Sequence, residues 1–178
     1  EVVMEAKDDS WRILEDKQDY WSRNHHNSHA IMGRVHYPLD PSAINFDSIV
    51  VDGDKDSERN AQHLRELASQ DNLYIRFDIG QLKLHHSRES LEYSKQTQKE
   101  ILSVLQSVQK DIEAIAKEKL GDAEDLWDAK VKFAQVVNAL PHGLKNIFES
   151  SFEWDGAKID SPAINRNHKF QEEVIITE

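Results

Sequence analysis

From Arg88 to Leu120 the chain carries Ile101, Leu105, Val108, Ile112 and Ile115 at alternating spacings of four and three, with neither proline nor glycine until Gly121. That period lays apolar side chains along one stripe of a long α-helix. Gly121 stands where a left-handed cap would end it. At 1.5 Å per residue such a helix is roughly 50 Å long, more than a compact domain of this size spans. It therefore needs a partner along much of its length, in the same chain or in another. Leu91, Ser94 and Gln98 continue the register towards the N-terminus, so the first turns make a weaker, polar seam. A neighbouring helix of the chain or a second copy could cover it, with buried polar residues setting the register.

A helix of about 87–120 is expected to turn back at Gly121-Asp122. Asp122 would cap a second helix bearing Leu126, Phe133, Val137 and Leu140. So short a corner makes the two helices antiparallel neighbours. Pro141 should kink or restart the second helix, which continues to about residue 150. An earlier helix is expected from about Asp9 to Met32, because Trp11, Leu14, Trp21, His25, His29 and Met32 fall on one arc at 100° per residue. Asp8 and Arg12 would then form an i,i+4 pair. Between these lies a β-α-β-like lobe over 44–84. It comprises a strand from Ile44 to Val51, a short helix from Ser57 to Ser69, and a strand from Leu73 to Leu84. In that second strand Leu73, Ile75, Phe77 and Ile79 face one way and Tyr74, Arg76 and Asp78 the other. Phe170 to Thr177 reads as a last strand. The expected fold is a single α+β domain over 1–178, mainly α, with a helical hairpin at 87–153.

Composition narrows the function classes. The formal charge is −11, and basic residues are interleaved with acids throughout. A surface of that sign repels phosphate backbones, which argues against nucleic acid as a partner. Nine histidines would bring the charge from −11 to −2 if all were protonated, so charge depends strongly on pH near neutrality. Cysteine is absent, which removes disulfides, thiolate metal sites and a cysteine nucleophile. No apolar run approaches the ~20 residues of a membrane span. The chain opens Glu1-Val-Val, as a processed or excised segment would.

Two polar constellations stand out. His25 and His29 are one helical turn apart, the spacing at which a helix presents two imidazoles to one zinc. His36 could add a third ligand, Asp40 an oxygen, and His85-His86 could complete a site in space. The residue after His25 is His26, so the glutamate base of the HExxH zinc proteases is missing. The competing reading is a polar helix end that continues the tryptophan stripe.

The second constellation is Asp52-Gly53-Asp54-Lys55-Asp56, placed after Ser48-Ile49-Val50-Val51. Alternating aspartates match the start of a calcium loop, but Ser57 stands at the sixth position and His63 at the twelfth, where glycine and glutamate belong. An apolar strand ending in Asp-x-Asp also resembles the nucleophile and acid pair of haloacid-dehalogenase-type phosphatases. That resemblance implies a magnesium-dependent phosphotransfer enzyme, with Asp56 replacing the threonine or valine of the pattern. Against both stands an Asp-Gly turn leading into a helix, whose N-terminus favours Asp54, Asp56 and Glu58.

No nucleophile elbow and no glycine-rich phosphate loop are present. The reading that asks least of incomplete motifs is a non-enzymatic interaction or sensory module: an extracytoplasmic ligand-sensing domain, or a helical scaffold segment, of a larger protein. Its partners would be a protein, a second copy engaged through helices, or a small molecule. A histidine metal protein or metal-dependent hydrolase, and the Asp-x-Asp phosphotransfer enzyme, are the alternatives. Zinc at the histidines, and calcium or magnesium at the aspartates, are the ions those donor sets would take.

Overall fold

The computed structural model of the chain describes residues 2–14, 28–70, 72–139, 153–154 and 157–159. Its centre is a five-stranded mixed sheet in the order β1-β2-β5-β3-β4. The strands are β1 (Val2–Glu5), β2 (Trp11–Leu14), β3 (His29–Met32), β4 (Val35–Pro38) and β5 (Leu73–Phe77). The β1–β2, β2–β5 and β3–β4 pairs are antiparallel, whereas β3 and β5 run parallel. The helices are α1 (Lys55–Ala68), α2 (Lys95–Gly121) and α3 (Leu126–Ala139). Two paired dipeptides, β6 (Glu153–Trp154) and β7 (Ala157–Lys158), flank Asp155-Gly156. The class is α+β, as expected, but strands hold places the sequence reading gave to helix.

The largest correction is at the N-terminus, where Trp11–Leu14 and Met32 were expected in one helix. Trp11 and Ile13 are buried while Arg12 and Leu14 are half-buried, and Ala30 and Met32 alternate with His29 and Ile31 in the same way. That is the period of two that strand geometry imposes. The middle of the expected helix, with His25, lies outside the described residues, as do the expected kink at Pro141 and the strand Phe170–Thr177.

The expected strand Ile44–Val51 is instead a pair of 3-10 turns, Pro41–Ala43 and Phe46–Ile49. Asp40 caps the first through Ser42, with Pro41 at its first position, and Phe46 anchors the second in the core at 1% exposure. Strand β5 alternates as read from Leu73 to Phe77, but it ends there. Ile79, assigned inward, is 86% exposed beyond the strand, next to a turn through Gly80 at φ 91°.

Helix α2 starts at Lys95 rather than near residue 87, because the Ser94 side chain accepts the Thr97 N–H and caps it. At 27 residues it is about 40 Å long. Leu91 is buried, but it pairs with Leu84 across an isolated bridge. The polar seam is satisfied within the chain: Thr97 accepts the Lys83 N–H, and Gln98 accepts the Asn45 N–H and donates to the Tyr93 carbonyl. Gly121 belongs to α2 and Asp122 follows at φ −88°, so no left-handed cap forms. Nor does Asp122 begin α3; Asp125 does, its carboxylate accepting the Asp128 N–H at 2.8 Å.

One apolar core joins the alternate sheet residues with the inner faces of all three helices. Trp11, Ile13, Leu73 and Ile75 share this core with Leu64 and Leu67 of α1, and with Ile101, Leu105, Val108 and Ile112 of α2. Ser28, fully buried, clips the end of α1 to the start of β3 by donating to the carbonyls of Leu67 and Gln70 at 2.8 and 3.1 Å.

The aspartates after Val51 serve α1. Asp54 is its N-cap, accepting the Asp56 N–H at 3.1 Å, and Asp56 and Glu58 occupy the first turn. Asp54→Ala should therefore cost about 1 kcal/mol in urea unfolding, with Asp54→Asn close to wild type. An unchanged midpoint in the alanine variant would show that the cap contributes nothing.

Candidate functional site

With the helices on one side, the second face of the sheet is built from the residues that point away from the core. Register places Arg12 of β2, Tyr74 of β5 and His29 of β3 in one row. Arg76 of β5, Ile31 of β3 and His36 of β4 form the next. These two rows define the candidate site.

Their rings cluster. His29 lies nearly parallel to Tyr74, with centroids 5.2 Å apart and an interplanar angle of 14°. His36 meets Tyr74 edge-on at 5.9 Å. His29 thus braces the Tyr74 ring from one side, in an offset stack that fixes its plane.

The charges are held by Asp9, in the β1–β2 connection. Asp9 adopts φ 61°, a left-handed conformation that aspartate tolerates better than most residues. Its carboxylate pairs with Arg12, and with Arg76 at 2.6 Å. Asp8 points elsewhere: hydrogen bonds from the Ser10 side chain and backbone hold its carboxyl below the usual range. The expected Asp8–Arg12 helical pair is thus replaced by Asp9–Arg12 across a turn.

A hollow of about 380 Å³ lies on this face, within the range of small-molecule sites. Tyr74, Ile31 and Leu14 line it together with Arg12, Arg76 and His36. A second hollow of about 480 Å³ adjoins it, sharing Asp9, Ile31, Gly33 and Arg76 and adding Asp8, Ser10 and Asp78. Arg76 stands where the two meet. The shared groove has an aromatic end and a carboxylate end.

Of the histidines singled out in the sequence, the structure brings His29 and His36 together, with ring centroids 6.4 Å apart. They sit on the neighbouring strands β3 and β4, so His29 is not on the helix turn expected to carry it with His25. His25 lies outside the described residues. His85 and His86 are exposed in the loop closed by the Leu84–Leu91 bridge. Asp40 caps a 3-10 turn and accepts from the Ser42 hydroxyl. Asp52, Asp54 and Asp56 are all exposed, the second capping α1 and the third pairing with Arg59 at 3.4 Å. Among the described residues, no three His, Asp or Glu side chains converge where they could hold a metal ion. Among those same residues, no helix is long and apolar enough to cross a membrane.

Sequence reasoning did not find Asp9, Arg12, Tyr74 or Arg76. The available signal was the alternation in β5, which already set Tyr74 and Arg76 on an outward polar face. Comparison with protein-family models, curated proteins and solved structures finds no match.

Proposed function

We propose that this domain is a non-enzymatic ligand-sensing module that takes a small molecule on the open face of its sheet. The observation that carries this reading is the 380 Å³ hollow. It combines a braced aromatic floor with two guanidiniums on an otherwise acidic chain. Few polar groups converging on an apolar lining is the usual composition of such sites. No nucleophile paired with a base is found among its lining residues, which favours binding over catalysis.

The route from ligand to response runs through the strands that form the hollow. β2 is tied to α2 by the Trp11 indole N–H, which donates to Asp111 at 2.9 Å. β5 leads through the 78–94 segment into the start of α2. A ligand that shifts either strand therefore acts on a helix about 40 Å long.

The test is a methyl NMR titration with a set of neutral, cationic and anionic ring fragments at millimolar concentration. At least one class should saturably shift the methyls of Ile31 and Leu14, together with amides of α2 around Asp111. The Val51 methyls, exposed just before α1 and outside the hollow, should stay still. If no fragment moves Ile31 or Leu14, the binding reading fails. If those methyls move and the α2 amides do not, the sensing half fails.

A further inference from the structure

The charge balance of the hollow points to a chemical class of ligand. Among the described residues, Asp9 is the one carboxylate within salt-bridge distance of Arg12 and Arg76. In the lining of the first hollow, one carboxylate against two guanidiniums leaves a net positive charge, whereas Asp8 and Asp78 lie in the adjoining hollow beyond Arg76. Each guanidinium presents five N–H donors in a planar fork that matches a carboxylate or phosphate. Asp9 offers two oxygens and is partly exposed, so it can share its partners with an incoming anion.

The floor specifies the rest of the molecule. Tyr74 has His29 stacked on it, and its row continues on the other side to Arg12. Ile31 and Leu14 extend the apolar surface beside it. A flat ring laid over Tyr74 and Ile31 would bring a substituent to the Arg76 end of the hollow. His36 borders the same hollow and adds positive charge when protonated.

We infer that the ligand is a planar aromatic or heteroaromatic anion, with its ring on Tyr74 and Ile31 and its carboxylate or phosphate on Arg76 and Arg12. This rests on the small-molecule reading above and goes further by fixing charge and shape. Charge-assisted hydrogen bonds to a fork are the strong ones, so most of the discrimination should come from the anionic group. His29 packs against the Tyr74 ring and makes no contact with the ligand in this arrangement.

Three probes separate the parts: 2-naphthoate, its neutral near-isostere 2-naphthamide, and cyclohexanecarboxylate, which keeps the charge without the flat ring. Each is titrated into the full chain while the Ile31 and Leu14 methyls are followed. Naphthoate should bind at least about tenfold more tightly than either of the others. Arg76→Gln should reduce that preference for naphthoate over naphthamide several-fold, and Arg12→Gln should do the same should the first variant not fold. Equal binding of naphthoate and naphthamide would overturn the anion assignment while leaving the pocket intact. Equal binding of naphthoate and cyclohexanecarboxylate would overturn the stacking assignment. If neutral or cationic fragments shift these methyls and naphthoate does not, the inference fails alone. If nothing shifts them, the pocket reading fails with it.

Discussion

Trp11→Ala should remove about 3–5 kcal/mol of unfolding free energy, enough to leave a domain of ordinary stability barely folded. Trp11 is 2% exposed in a strand of only four residues, and its ring joins the sheet to α2. Truncation deletes the largest fully buried side chain and leaves a cavity between two layers that cannot both relax into it. It also removes the indole N–H that donates to Asp111. That second loss is the smaller, because Asp111 is exposed and water can take over as its partner. Trp11→Phe separates the two contributions. It keeps most of the buried ring, so its cost should be nearer 1 kcal/mol. Urea unfolding at constant m measures both. A loss below about 1 kcal/mol for the alanine variant would show that the sheet and α2 do not share a core at this point.

The same residue explains why part of the fold was illegible in the sequence. Trp11, Ile13 and Leu14 are all apolar, so the segment fits a period of 3.6 as well as a period of two. Strands of four residues are too short to decide between them. His29, Ala30, Ile31 and Met32 present the same ambiguity. By contrast α1 was legible, because Ala61, Leu64, Leu67 and Ala68 keep a helical spacing behind an acidic cap, with no apolar residue breaking the pattern. β5 was legible because Tyr74 and Arg76 break its apolar run at every second place. At 44–51 the apolar triplet Ile49-Val50-Val51 misled: Val51 is 61% exposed, and the buried anchor is Phe46. The start of α2 was misplaced because Leu91 happens to keep the register of the stripe, while the capping serine at residue 94 determines where the helix begins.

The candidate site was less legible than the fold, for a topological reason. Asp9, Arg12, Ile31, His36, Tyr74 and Arg76 come from four strands and a turn. They become neighbours through the β2–β5, β3–β5 and β3–β4 pairings. No local spacing encodes that. His25 and His29 are singled out for an i,i+4 geometry, with His36 as a third ligand; the chain does not use that geometry at His29, yet His29 and His36 meet because β3 and β4 form a hairpin.

Phe133→Ala should act differently from any sheet substitution, releasing α3 while the rest of the domain stays folded. Along α3 the buried positions are Ala129, Phe133, Ala134, Val136 and Val137, and Phe133, at 0% exposure, is the one aromatic ring among them. α2 is the element α3 packs against most extensively. Truncating Phe133 forfeits about 3–5 kcal/mol at that contact. Among the described residues of α3, what remains buried is two alanines and two valines, beside an Asp128–Lys132 pair that is partly exposed and so contributes little. A helix of fourteen residues is marginal on its own in water. Its local opening should therefore become the cheapest unfolding event in the molecule. Hydrogen exchange reads this directly: α3 amides should lose most of their protection in Phe133→Ala, while those of α1 and β5 keep theirs. Ile112→Ala is the comparison. Its side chain, 1% exposed, lies on α2, which packs against α1 as well as α3, so its cost of about 2–5 kcal/mol should fall on all elements together. Equal loss of protection in α3 and β5 for Phe133→Ala would show that α3 is integral to the cooperative unit. The sheet face could not then be studied apart from it.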